Sequence, residues 1–159
     1  MLGAKTLAID TMGGDHGPSV TVPGAALSLE GHPELSFVLV GNEQAIRAAL
    51  ADHPRLAERA RIVHTDQKIG MDDKPSQALR RGKGSSMWMA LEAVRDGRAE
   101  VAVSAGNTGA LMALYRLLLK PLGNIERPAI AAIWPTVKAE SIVLDVGANI
   151  GADTRQLCD

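Results

Sequence analysis

Short runs of consecutive apolar residues, each stopped by glycine or a polar turn former, alternate along this chain with stretches whose apolar positions recur at helical spacing. Thr6 to Asp10 (TLAID) reads as a strand running into the glycine-rich loop TMGGDHGP. A helix is expected from Pro18 to about Gly31, with Pro23 inside it and therefore expected to kink or restart it. Leu35 to Val40 reads as a second strand, EQAIRAALADH as an amphipathic helix, and Arg61 to His64 as a third, shorter strand. From Thr65 to Ser86 the chain turns polar and charged, with little apolar content beyond Ile69, Met71, Ala78 and Leu79, and reads as an excursion from the core. Helical spacing resumes over Met87 to Val94 and stops at Asp96-Gly97. Val101 to Lys120 then combines a buried strand (Val101 to Val103), a polar turn (Ser104 to Gly109) and an apolar-striped helix. Two further strands are expected, Ala129 to Trp134 and Ser141 to Asp145, the second ending in VGANIGAD.

Strand, loop and helix in repeated alternation predict an α/β fold, doubly wound around a mostly parallel sheet, with ligand chemistry at the carboxyl ends of the strands. Three strand-end loops are then expected on one edge: Asp10 to Gly17, Ser104 to Gly109, and Asp145 to Asn149. Residues 1–159 are read as part of one domain, able to bury about two thirds of its unfolded surface if it folds alone.

Composition changes this picture little. The 18 acidic and 17 basic residues nearly cancel, so no overall charge argues for nucleic acid, and what matters is where charge is concentrated. The single cysteine, Cys158, rules out an internal disulfide and a cysteine metal cluster and suits a reducing cytosol. The opening apolar run is too short for a signal peptide, and no segment approaches the roughly 18 apolar residues of a membrane span, so a soluble, cytoplasmic protein is expected.

The candidate chemistry lies in the loops. In DTMGGDHG, Asp10 sits at a strand end, Gly13 and Gly14 stand where backbone must turn sharply or approach a ligand, and Asp15 and His16 follow. This is a candidate phosphate loop or a plain glycine turn; the spacings of a P-loop and of a dinucleotide fingerprint are both absent. His16 is the best-placed histidine for acid–base work, while His32, His53 and His64 show no spacing that would build a metal site. Lys74, Arg80, Arg81 and Lys83 concentrate positive charge ahead of Ser85 and Ser86, either of which can cap the next helix; a solvated basic face is the plain alternative. In the central turn, Ser104, Asn107 and Thr108 can cap the following helix or bind an anion, and no GxSxG surrounds Ser104. Asp145, Gly147 and Asn149 can orient a ligand or simply end a strand. VLDVGANIG also resembles the first motif of methyltransferases that bind S-adenosylmethionine, but such a protein would need most of its sheet after that motif.

AIDTMGGDHGPSVTVPGA, KPSQALRRGKGSSMWMALEAV, VSAGNTGALM, ERPAIAAIWP and VLDVGAN occur here in that order. With these blocks the chain closely resembles the bacterial phosphate acyltransferases, the acyl-acyl-carrier-protein:phosphate transacylases, over essentially its whole length. The resemblance implies a fold like isocitrate and isopropylmalate dehydrogenases and phosphotransacetylases, and a longer chain of which this is the amino-terminal half. It also implies a reaction: inorganic phosphate attacks the thioester of a long-chain acyl-acyl carrier protein, giving acyl phosphate for phospholipid synthesis. No cofactor or metal is implied, only an oriented anion, donors for the developing oxyanion and room for the acyl chain. Under that reading Ser104, Asn107, Thr108 and Gly109 hold phosphate or the oxyanion, with Asn107, Ser104 and His16 as catalytic candidates. Asp10, Gly13, Gly14 and Asp15 shape the opposite wall, with Asp145 and Asn149 as further binding candidates. Lys74, Ser76, Arg80 and Arg81 neutralise phosphate or meet the acidic carrier protein. The implied partners are acyl-acyl carrier protein, inorganic phosphate, a second copy of the chain, the inner face of the membrane and a glycerol-3-phosphate acyltransferase that takes the product. The alternative from another class is a non-catalytic module that binds phosphate or carrier protein.

Overall fold

The computed structural model describes residues 5–121, 123, 129–144 and 154. These residues belong to two units, Met1–Leu119 and Lys120–Asp159.

The first unit is built on four parallel strands, β1 (Thr6–Asp10), β2 (Ser36–Gly41), β3 (Ala60–His64) and β4 (Val101–Ser104), in the order β3-β2-β1-β4. Because side chains alternate across a strand, β1 and β2 feed two cores. On one face Ile9, Phe37 and Leu39 pack with Val22, Ala25 and Leu29 of helix α1 (Pro18–Gly31), Ile46 and Leu50 of α2 (Glu43–Leu50) and Leu56 of α3 (Pro54–Ala57). On the other, Ala8, Val38 and Val40 meet Ala90 and Ala93 of α5 (Ser86–Arg95) and the neighbouring Ala99. Helices therefore cover both faces, and each fully buried Val, Leu, Ile or Phe contributes about 1.5–3 kcal/mol. The alanines of α5 let it lie close to the sheet.

Pro23 does not break α1. It forgoes one backbone hydrogen bond, while Val22, Ala25 and Leu29 hold the helix to the sheet on either side of it. The polar excursion also differs from expectation. It contains a helix, α4 (Pro75–Arg81), which lies against α6 (Thr108–Leu118). Its buried Ala78 joins Ile69, Met87, Trp88, Leu91, Ala110, Leu114 and Leu118 in a third apolar cluster. One buried alanine suffices to dock a helix whose other six residues are exposed. The expected burial of Val101 to Val103 is not observed either: Val101 and Val103 are 49% and 43% exposed. β4 pairs only with β1 among the described residues, and no described helix covers the face carrying those valines.

The second unit contains a hairpin of β5 (Ala131–Pro135) and β6 (Glu140–Leu144), antiparallel rather than parallel to one another. The Thr136 N–H donates to the Ala139 carbonyl (2.9 Å), and the Thr136 hydroxyl accepts from the Ala139 N–H (3.2 Å), closing the turn.

Candidate functional site

Strand order reverses beside β1: β2 and β3 continue on one side and β4 lies on the other. In open α/β sheets that reversal opens a crevice beyond the strand carboxyl ends, where ligands bind. The loops leaving β1 and β4 meet at that place, because Asp10 and Ser104 are register partners.

Asp10 is 2% exposed, a burial a carboxylate tolerates only when its oxygens are hydrogen-bonded. The Ser104 hydroxyl donates to Asp10 Oδ2 at 2.7 Å, and the Met12 N–H to Oδ1 at 3.3 Å. Ser104 Oγ in turn accepts the Gly106 N–H at 3.1 Å, so one hydroxyl ties the carboxylate of the first loop to the backbone of the second. The glycines make this approach possible. A Cβ at Gly13 would lie 2.8 Å from both Asp10 Oδ2 and the Gly106 nitrogen, and one at Gly106 would lie 2.7 Å from Met87 Cε. Gly14, at φ +78°, turns the first loop in the left-handed region directly against Ala105.

Thr11 anchors the same loop from behind. Its N–H and hydroxyl both donate to the Val40 carbonyl (3.0 and 2.8 Å), while its own carbonyl accepts the Thr21 hydroxyl of α1 at 3.1 Å. Asp15 and His16 project from the exposed tip.

The Asn107 carboxamide is engaged at both ends. Oδ1 accepts the Ala110 N–H at 3.0 Å and caps α6. Nδ2 donates to the Met71 and Asp73 carbonyls at 2.7 and 2.9 Å, and more weakly to Gly70 at 3.3 Å. The side chain therefore clasps the 70–73 turn to the start of α6. Thr108 and Gly109, both exposed, occupy the first turn of α6, where N–H groups have no intrahelical acceptor and the helix dipole favours an anion. Gly109 keeps that turn close to α4, since a Cβ on it would lie 3.0 Å from Pro75 Cγ.

The structure thus gathers Asp10, Gly13, Gly14, Ser104, Asn107, Thr108 and Gly109 at one junction. Lys74 and Ser76 flank Pro75 beside it, and Arg80 and Arg81 extend along α4. Arg80 Nε donates to the Ser76 carbonyl at 3.1 Å. Asp145 and Asn149, and with them the third expected loop, lie outside the described residues. Thr11 and Gly106 join the site without having stood out in the sequence. A threonine after the strand-end aspartate and a glycine two residues past Ser104 are the only traces they leave in the sequence. The Asp73 carboxylate braces its own turn, its Oδ2 accepting the Gly70 N–H at 2.8 Å, while its carbonyl takes part in the Asn107 clasp.

The fold is a phosphotransacetylase-like α/β architecture. EutD phosphotransacetylase from Staphylococcus aureus matches 98% of this chain and 51% of its own, with a TM-score of 0.64 at 14% identity. The chain belongs to the family described as fatty acid synthesis protein, whose model matches residues 5–159. Relatives named phosphate acyltransferase include one from Afipia carboxidovorans, 61% identical over 152 residues, or 95% of this chain and 43% of that protein. Another, from Azorhizobium caulinodans, is 59% identical over 96% of this chain and 43% of its own length. The chain therefore spans less than half the length of these relatives. No helix of the described residues is long and apolar enough to cross a membrane.

Proposed function

We propose that the junction of the β1 and β4 loops binds inorganic phosphate and that the protein serves transfer of a long-chain acyl group from acyl-acyl carrier protein to that phosphate. The observation that carries this reading is the glycine-lined contact over the Asp10–Ser104 hydrogen bond at the sheet's switch point, just ahead of an α6 whose first-turn N–H groups have no intrahelical acceptor. The name carried by relatives of 61% and 59% identity supplies the substrate class.

In this reading a phosphate oxygen attacks the thioester carbonyl carbon, the carbon–sulfur bond breaks, and the thiolate leaves and takes up a proton. The products are an acyl phosphate and the free carrier thiol. The Thr108 and Gly109 N–H groups orient the phosphate, Lys74 beside them offsets its charge, and Asp10, Ser104 and Asn107 hold the two loops and the 70–73 turn in register. Preorganised donors of this kind lower the barrier because they need not reorganise as charge develops. His16, on the exposed loop tip, is the candidate to protonate the thiolate. A homodimer, association with the inner face of the membrane and delivery of acyl phosphate to a glycerol-3-phosphate acyltransferase complete the proposal.

Calorimetric titration with phosphate and with chloride tests the anion site. The reading expects saturable phosphate binding that is weakened at least about tenfold by Gly13→Ala, and no saturable chloride binding. Phosphate binding unchanged in Gly13→Ala would place the anion elsewhere.

A further inference from the structure

The chain is nearly neutral, with 17 basic and 18 acidic residues, yet Lys68, Lys74, Arg80, Arg81 and Lys83 fall within a span of sixteen positions. Elsewhere Arg47 pairs with Glu43, Arg95 with Glu92 and Asp96, and Arg98 with Asp96, while Arg55, Arg59, Arg61 and Arg116 make no ion pair among the described residues; what sets the 68–83 stretch apart is five cations against the two carboxylates of Asp72 and Asp73. None of the cations between Lys68 and Lys83 makes an ion pair among the described residues.

The fold collects these charges on one surface. Lys68, Gln77 and Arg81, with Asp73 as the one carboxylate, line a shared cleft of about 130 Å³. The Thr65 hydroxyl donates to the Gly84 carbonyl (2.7 Å) and the Ser86 N–H to the Gln67 carbonyl (2.9 Å), which lays the Lys68 segment along the turn carrying Lys83. Met71 and Leu79, 50% and 42% exposed, add apolar contact among the charges. The same segment is fastened to the start of α6 by the Asn107 clasp, so whatever binds here lies beside the proposed phosphate site.

We infer that this basic face, centred on the Lys68–Arg81 cleft and the outer side of α4, is the docking surface for an acidic protein. Resting on the function proposed above, that partner is the carrier that delivers the thioester. Charge complementarity argues for it: unpaired cations on a near-neutral protein gain most from a partner presenting carboxylates, and two exposed apolar side chains suit a small protein interface. Residues 65–86 contain no aromatic side chain on which a base could stack, which counts against single-stranded nucleic acid.

The test compares the full wild-type chain with a Lys68→Glu/Lys83→Glu double variant, neither residue belonging to the phosphate site. Affinity for acyl-acyl carrier protein is measured by titration, and turnover is measured both on that substrate and on the same acyl group carried by a small-molecule thiol. The inference expects carrier affinity to fall about tenfold and to lose most of its dependence on ionic strength, with turnover of the small thioester unchanged within about twofold. Wild-type carrier affinity in the variant would overturn it, as would equal losses on both substrates. Tight, charge-dependent binding of anionic phospholipid vesicles, abolished by the same substitutions while carrier binding is kept, would assign the face to a membrane and also overturn it. If neither thioester is turned over by the wild-type chain, the proposed activity fails, while the titration still decides whether an acidic carrier docks on this face.

Discussion

Replacing Asn107 by Asp and by Ala separates the two tasks its carboxamide performs. Alanine removes both. The lost cap on Ala110 costs about 1 kcal/mol, and the lost donors to Met71 and Asp73 cost about 0.5–1.5 kcal/mol each, toward the lower end because water reaches those exposed residues. The sum is about 2–3 kcal/mol. Aspartate keeps an acceptor for Ala110, where the helix dipole favours its charge by about 0.3–1 kcal/mol, but turns a carboxylate toward carbonyl oxygens that had been receiving N–H donors. Asn107→Asp should therefore lose about 1–2 kcal/mol overall, with the damage confined to the 70–73 turn. Urea unfolding followed by circular dichroism gives the totals, and amide hydrogen exchange locates the loss. The expected pattern is that Asp preserves protection at the start of α6 and loses it over residues 66–74, whereas Ala loses both. Wild-type exchange over 66–74 in Asn107→Asp would refute the clasp and leave Asn107 a helix cap alone.

Other expected outcomes follow from the same geometry. Gly13→Ala forces a methyl group to within 2.8 Å of the Asp10 carboxylate and the Gly106 nitrogen, and should cost about 1–3 kcal/mol in urea unfolding. Gly24→Ala, in α1 where an added Cβ meets nothing within 4 Å, should stabilise by about 0.5–1 kcal/mol and leave phosphate binding unchanged. At the end of α5, the hydrogen bond from Arg95 holds the Asp96 carboxyl below its ordinary value, with Arg95's charge adding to it and desolvation opposing. A carboxyl lowered in the folded state stabilises above its unfolded pKa of about 3.9 and ceases to do so as pH falls through the folded value. The stability difference between wild type and Asp96→Asn should thus be present at neutral pH and vanish in acid, as unfolding midpoints across pH will show.

The sheet was legible in the sequence wherever a strand was both apolar and bounded by turn formers, as with TLAID and LSFVLV, whose extents the structure shifts by at most one residue. Composition could not say which strands lie at an edge: Val101 and Val103 look like any buried pair until the neighbour order is known. Helix α4 was missed because only Ala78 of its seven residues is buried, too little to register as periodicity. The loops were recognisable as a candidate anion site from their glycines and their position after strands. The bond that organises them was not, because Asp10 and Ser104 are 94 positions apart and meet only through the β1–β4 register. Asn107 showed its cap in the sequence, since a polar side chain before a helical run is a local signal, whereas its hold on residues 70–73 depends on where α4 packs.

The most direct test of phosphate use follows a carbonyl-labelled acyl-acyl carrier protein and inorganic phosphate together by carbon and phosphorus NMR in the presence of the chain. The proposed chemistry predicts that the thioester resonance gives way to an acyl phosphate, coupled to phosphorus, as free carrier thiol appears in equal amount. Release of free fatty acid instead, or consumption of thioester at a rate independent of phosphate, would contradict it.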